Sequence, residues 1–158
     1  MFEDILMVLA GAFCGCSAGA YWQGKRLCRI RHRADKDSRI IDVQSMWLHL
    51  YQEYRSLDEF FYRHNYKKIA VQGLGKLGRS LIGDLSKTDI EVVYGIDRNT
   101  ALSGELGIPV YTVDDSLTEV DAVIITAIAD YNTIASQLYE KLDCPLIPLD
   151  AMLNELID

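Results

Sequence analysis

The sequence predicts an α/β fold built on an open, five-stranded parallel sheet in the order 3-2-1-4-5. Three observations carry this reading. Apolar runs alternate with helix-length segments from Lys68 to the C-terminus. A glycine turn, Gly73-x-Gly75-x-x-Gly78, directly follows the first run, Ile69–Val71. The segment Asp121–Thr126 (DAVIIT) is almost continuously apolar, as a strand covered on both faces must be.

Length and charge set the frame. A chain of 158 residues has room for one domain and an extension. Its net charge of −7 is unevenly spread. Lys25–Arg39 holds seven Lys/Arg and two Asp, whereas from Ile40 onward nine Lys/Arg face 19 Asp/Glu. An acidic domain of this kind repels nucleic acid, so no nucleic-acid partner is expected.

The N-terminal element is Ile5–Trp22, 18 residues without a charge. This length is at the short end of what spans a bilayer, and the segment is read as a single transmembrane helix. Tyr21 and Trp22 sit where an interfacial aromatic belt lies, and Lys25, Arg26, Arg29, Arg31 and Arg33 follow at once. The positive-inside rule then places everything after Gln23 in the cytoplasm, on an inner or plasma membrane. A cleaved signal or a lipoprotein signal requires a basic start, and Glu3 and Asp4 precede the run instead. A buried core helix is the remaining alternative, because Gly11, Gly15, Ser17 and Gly19 dilute the hydrophobicity. Gly11, Gly15 and Gly19 also form two overlapping G-x-x-x-G motifs, the spacing of a homodimer contact between membrane helices. Residues 23–39 read as a basic connector lying on anionic headgroups.

Two amphipathic helices lead into the domain. Val43, Met46, Trp47, Leu50 and Tyr54 recur at spacings of three and four, which marks one apolar helical face. Ser56 and Glu59 have capping-box spacing, and a short helix Leu57–Arg63 with Leu57, Phe60 and Phe61 inward is predicted from it. This pair is expected to cover a sheet edge or, alternatively, to form a dimer seam.

The α/β alternation then sets the remaining elements. Predicted strands are Lys68–Gln72, Glu91–Ile96, Pro109–Thr112, Asp121–Thr126 and Cys144–Pro148. Predicted helices are Lys76–Leu85, Tyr131–Lys141 with Asp130 as its cap, and Asp150–Ile157. The expected division is a transmembrane anchor over 1–24, a basic connector with amphipathic helices over 25–66, and a Rossmann-type nucleotide-binding domain over 67–158.

The fingerprint fixes the candidate site. Strand, glycine turn and helix are followed by an acidic residue, Asp97, 19 residues after Gly78. In this pattern Gly73 permits the tight turn, Gly75 lets a diphosphate approach the backbone, and Gly78 lets helix and strand pack closely. The helix start supplies unpaired N–H groups to the phosphates, and Asp97 would accept from a ribose hydroxyl. The candidate cofactor-binding residues are Gly73, Gly75, Lys76, Leu77, Gly78, Asp97, Arg98, Thr126 and Ala127. Lys76 and Arg79 lie close enough to the turn to meet a phosphate. Arg98 leaves the choice between NAD and NADP open, since it could contact a 2′-phosphate.

No catalytic set accompanies this site. Of the nine Tyr only Tyr21 is followed by Lys at the fourth position, and the G-x-S-x-G pattern Gly15–Gly19 lies inside the apolar run Ile5–Trp22, so neither has the strand-to-helix or domain setting its chemistry needs. Cys14, Cys16, Cys28 and Cys144 match neither a redox pair nor a zinc site, and His32, His49 and His64 are scattered. No metal ligands or catalytic residues are assigned, and the chain is not expected to act as an enzyme on its own.

The runs IAVQGLGKLGRSLIGDL, VVYGIDRN, GIPVYTVDDSL and VDAVIITA together resemble the Rossmann-type domain of bacterial surface-polysaccharide biosynthesis proteins. Such domains occur at the start of sugar acetyltransferases and beside nucleotide-sugar dehydratases. The resemblance covers about residues 46–157 and implies a nucleotide or nucleotide-sugar ligand at Gly73, Gly75, Gly78 and Asp97. It implies a membrane-anchored accessory or regulatory module in surface polysaccharide biosynthesis. A second resemblance, to cytoplasmic regulatory domains of potassium channels and transporters, implies a nucleotide-sensing subunit of an ion transporter. A minimal NAD(P)-dependent oxidoreductase completed by a partner is the third expectation.

Overall fold

Strand β1 (Lys68–Gln72) forms the spine of the domain, because it pairs in parallel with a strand on either side. The computed structural model describes residues 37–158. Ile5–Trp22, with Gly11, Gly15 and Gly19, lies outside the described residues, as does most of the basic connector. No helix among the described residues is long and apolar enough to cross a membrane.

The sheet has five parallel strands in the order β3-β2-β1-β4-β5, as the alternation of the sequence predicts. Strand β2 is Glu91–Ile96, β3 is Val110–Tyr111, β4 is Ala122–Ile125 and β5 is Leu146–Pro148. All four residues of β4 are buried, which explains its unbroken apolar run. The short edge strands leave little unpaired backbone at either side of the sheet.

Helices follow the spacing of their apolar residues. Residues 37–52 are helical and form α1. Next come α2 (Asp58–Arg63), α3 (Lys76–Leu85), the single turn α4 (Ser103–Leu106), α5 (Tyr131–Leu138) and α6 (Leu149–Ile157). In α3, Leu77, Leu81, Ile82 and Leu85 fall on one face and are buried. Gly107 ends α4 in the left-handed region at φ 70°, a conformation that favours glycine.

Two apolar layers sandwich the sheet. One joins Ile69, Val71, Ala122 and Ile124 of the sheet with residues of α1, α2, α3 and α6. The other joins Ala70, Tyr94, Val123 and Ile125 with Ala135 and Leu138 of α5. Successive side chains of a strand point to opposite faces, so neighbouring residues of β1 and β4 divide between the layers.

The helical lead-in departs from expectation in three ways. It joins a face of the sheet rather than an edge: Val43, Trp47, Leu50, Phe60 and Phe61 share the apolar layer of α3 and α6. Tyr54 is not part of the apolar stripe, being 97% exposed at a positive φ of 57° after the helix has ended. The capping box does not form either. Leu57 occupies the cap position without a side-chain hydrogen bond, and the Glu59 carboxylate pairs with Arg63 and Arg55. Five expected elements, α2, β3, β4, α5 and β5, are also shorter than the sequence suggests. A 3₁₀ turn, Ile128–Asp130, precedes α5, and Asp130 stands at the cap position without a side-chain capping bond.

Candidate functional site

The site is built where β1 runs into α3. After Gln72 the chain turns through Gly73, whose φ of +87° lies where residues with a Cβ are strained. Two backbone bonds hold the turn at the sheet: Gly73 N–H donates to Ile96 O at 2.9 Å, and Thr126 N–H donates to Gln72 O at 2.9 Å. The Thr126 hydroxyl donates to the carbonyls of Gln72 (3.1 Å) and Gly73. A Cβ on Gly73 would come within 2.8 Å of that hydroxyl oxygen.

The other two glycines of the motif have separate reasons to lack a side chain. A Cβ on Gly78 would lie 2.1 Å from the carbonyl oxygen of Gly73, so the helix can rest on the turn only if this residue is glycine. Gly75 is different, because a Cβ there would meet no atom within 4 Å. Its backbone, at φ −71° and ψ −159°, is one that any residue adopts. Nothing among the described residues requires glycine at this position. Gly75 is also the N-cap of α3, and no side chain caps the helix. The first turn of a helix presents N–H groups without intrahelical acceptors.

Asp97, half-buried just beyond the end of β2, anchors the turn from the other side. Its Oδ2 accepts from Leu74 N–H at 2.7 Å, and its Oδ1 accepts from Asn99 N–H at 3.0 Å. Each carboxylate oxygen retains a further lone pair for a ligand hydroxyl. Arg79 donates from Nε to the Leu74 carbonyl at 3.2 Å while its guanidinium pairs with Glu105 of α4. Arg79 is therefore bound to the turn itself and to α4. Lys76 and Arg98 are exposed. Leu77 is buried in the core, so only its backbone is near the turn.

Two contributors were not evident from the sequence as parts of this site. Leu74, 1% exposed, packs against Gly95, where a Cβ would come within 2.7 Å of Leu74 Cδ1. The glycine of the YGID run is thus the seat for the residue between Gly73 and Gly75. Gln72 is 8% exposed, and its Oε1 is buried without a hydrogen-bond partner among the described residues. A polar residue closing an otherwise apolar strand was the available signal.

Other concave regions lack this chemistry. A cleft of about 440 Å³ lies between α1 and the C-terminal end of α3, away from the glycine turn. One of its two carboxylates, Asp84, is already engaged by Trp47 Nε1–H at 3.1 Å and the Tyr51 hydroxyl at 2.9 Å. Cys144 is half-buried, and burial pushes its thiol above the ordinary range, away from the reactive thiolate. Among the described residues no group of three or more His, Cys, Asp or Glu could hold a metal ion.

Residues 64–136 match the CoA binding domain family. No curated protein matches the chain. The matched stretch runs from the end of α2 into α5 and contains the glycine turn, Asp97, Thr126 and Ala127. The CoA binding domain is Rossmann-like, in accord with the observed sheet, and a nucleotide- or CoA-type ligand is what the match supports. It does not single out NAD or NADP, and it lends nothing to a surface-polysaccharide setting.

Proposed function

We propose that this chain is a binding module for a nucleotide ligand of the CoA type, held by its diphosphate against the start of α3. One observation carries the reading: Gly75 opens onto free space at an uncapped helix N-terminus, although neither packing nor backbone conformation requires glycine there. A close approach by a bound group supplies the missing reason. The match over residues 64–136 supports the same ligand class.

Each candidate residue then has a role. Gly73 and Gly78 shape the turn, and Gly75 makes room for the diphosphate. The first N–H groups of α3, through Lys76 and Leu77, face its oxygens. Exposed Lys76 and Arg98 add positive charge near the turn, and Asp97 accepts from a ribose hydroxyl. Thr126 and Ala127 form the opposite lip where β4 ends. CoA, when bound, would supply a thiol on a long arm. The chain's own contribution is to hold and orient the nucleotide end.

NAD, NADP and nucleotide-sugars carry the same diphosphate and are the competing ligands. An anchor at Ile5–Trp22, pairing through Gly11, Gly15 and Gly19, and an accessory role in polysaccharide assembly are parts of the proposal supported by sequence alone.

The test is a thermal-shift series on the full chain with CoA, NAD, NADP, a UDP-sugar and ATP. A ligand at a hundredfold over its Kd adds about 2.7 kcal/mol of stability. The expected result is an upward shift with CoA. A shift with NAD or a UDP-sugar alone would move the ligand class, and no shift with any at millimolar concentration would refute the reading.

A further inference from the structure

Gln72 Oε1 is the buried side-chain oxygen or nitrogen that lacks a partner among the described residues. Leaving a buried carboxamide oxygen unpaired forfeits its hydration without a replacement. An apolar side chain of similar shape would fill the same space without that penalty.

The position of Gln72 indicates what the oxygen faces. It is the last residue of β1, in register with Ile96 of β2 and Ile125 of β4. Ile69 and Val71 belong to the α3 layer and Ala70 to the α5 layer, so strand alternation sends the Gln72 side chain to the α5 face. The chain order of the sheet reverses between β1 and β4, and the crevice of such a sheet opens there, beyond the carboxyl ends of the strands. The main-chain carbonyl of Gln72 is satisfied by Thr126 from N–H and hydroxyl alike. Only the side-chain oxygen remains unmatched, at the carboxyl end of β1 where the sheet order reverses.

We propose that the Gln72 carboxamide is a recognition group of the nucleotide site: it accepts a hydrogen bond from an amide N–H or hydroxyl on the arm of a CoA-type ligand beyond the diphosphate. This rests on the ligand reading above. A diphosphate offers only acceptors at neutral pH and is matched by N–H groups, so an orphan acceptor selects a different part of the ligand. Asp97 follows β2 on one side of β1, whereas Gln72 faces the layer of α5, which follows β4. With ribose at Asp97, the arm runs toward Gln72.

The test compares wild type and Gln72→Met by calorimetry with two ligands, CoA and 3′-phosphoadenosine 5′-diphosphate, which is CoA without its pantetheine arm. The thermal midpoint of each ligand-free protein is measured alongside. The expected result for Gln72→Met is an equal or higher midpoint, unchanged affinity for the armless nucleotide, and at least a tenfold loss for CoA. Equal loss for both ligands, or no loss for CoA, would overturn the proposal while leaving nucleotide binding intact. A lowered midpoint with both affinities unchanged would assign Gln72 to packing and also overturn it. Wild-type protein that binds neither compound would instead remove the nucleotide reading, and this inference with it.

Discussion

Replacing Gly75 with valine separates the proposed ligand site from the fold. The substitution meets no protein atom where its Cβ would stand, and the backbone angles suit any residue. Valine is a poorer N-cap than glycine, which costs about 1 kcal/mol at most. Ligand binding should respond much more. A phosphate oxygen bonded to a main-chain N–H sits about 2.9 Å away, and the bond weakens steeply once the partners separate. An isopropyl group at this point holds the phosphate off the helix start. Loss of two charge-assisted bonds at about 1.5–3 kcal/mol each amounts to about 3–6 kcal/mol, or two to four orders of magnitude in Kd. The contrast is Gly78→Ala, which places a methyl 2.1 Å from the Gly73 carbonyl oxygen and forces the turn off the helix. Overpacking of this kind costs about 3 kcal/mol, enough to lower the midpoint by about ten degrees or more in a domain of this size. Calorimetric titration with CoA and a thermal melt on both variants measure the two effects. Wild-type affinity in Gly75→Val would refute the placement of the phosphates. A melt as damaged as that of Gly78→Ala would refute the claim that the space at Gly75 is open.

Three further outcomes follow from the hydrogen bonds and titrations. Thr126→Val removes the hydroxyl that donates to the Gln72 and Gly73 carbonyls, and should cost about 1–2 kcal/mol in denaturant unfolding. Tyr94 is fully buried and donates to Thr118 O at 2.7 Å; burial pushes its phenol up to about 12. A raised folded pKa means its contribution is complete below about pH 10 and fades as pH climbs toward 12, which Tyr94→Phe should abolish in alkaline melts. Asp115 and Asp121 shift the other way. Backbone N–H groups of Thr112, and of Lys68 and Lys67, hold their carboxyls below the ordinary range. Their contribution is present above the ordinary carboxylate value of 3.8 and lost as pH falls through the folded values, so Asp121→Ala should flatten the acid limb of the stability curve.

The sheet was legible because its signals are local and redundant. Strand β1, helix α3 and strand β2 have the ends expected from an apolar run, a glycine turn and an amphipathic period. The lead-in was less legible, since its placement depends on tertiary contacts. Nothing in the spacing of Val43, Trp47 and Leu50 distinguishes a sheet face from a sheet edge. Ser56 and Glu59 have the right separation for a capping box, yet Arg55 and Arg63 compete for the same carboxylate. At the site, the three glycines could be read as a motif, but their different neighbours could not. Asp97 was legible as an acid at a strand end. Its bond to Leu74 N–H depends on the path of the turn, which the residue types alone do not specify.

The internal bonding of the turn bears on how it would bind. Gly73 N–H, Leu74 N–H and the carbonyls of Gln72, Gly73 and Leu74 all have partners within the protein, drawn from β2, Asp97, Thr126 and Arg79. The turn is therefore ordered by folding rather than by its ligand, and binding need not supply that ordering entropy. A loop clasped this fully would have little reason to leave polarity unmatched. Two exceptions remain: the uncapped start of α3 beyond Gly75, which offers donors, and Gln72 Oε1 at the end of β1, which offers an acceptor. One molecule combining an anionic diphosphate with a donor-bearing arm would satisfy both. An inorganic phosphate would satisfy only the first. The paired donors and acceptor thus favour an extended nucleotide over a free anion, and make the arm as informative a probe as the phosphates.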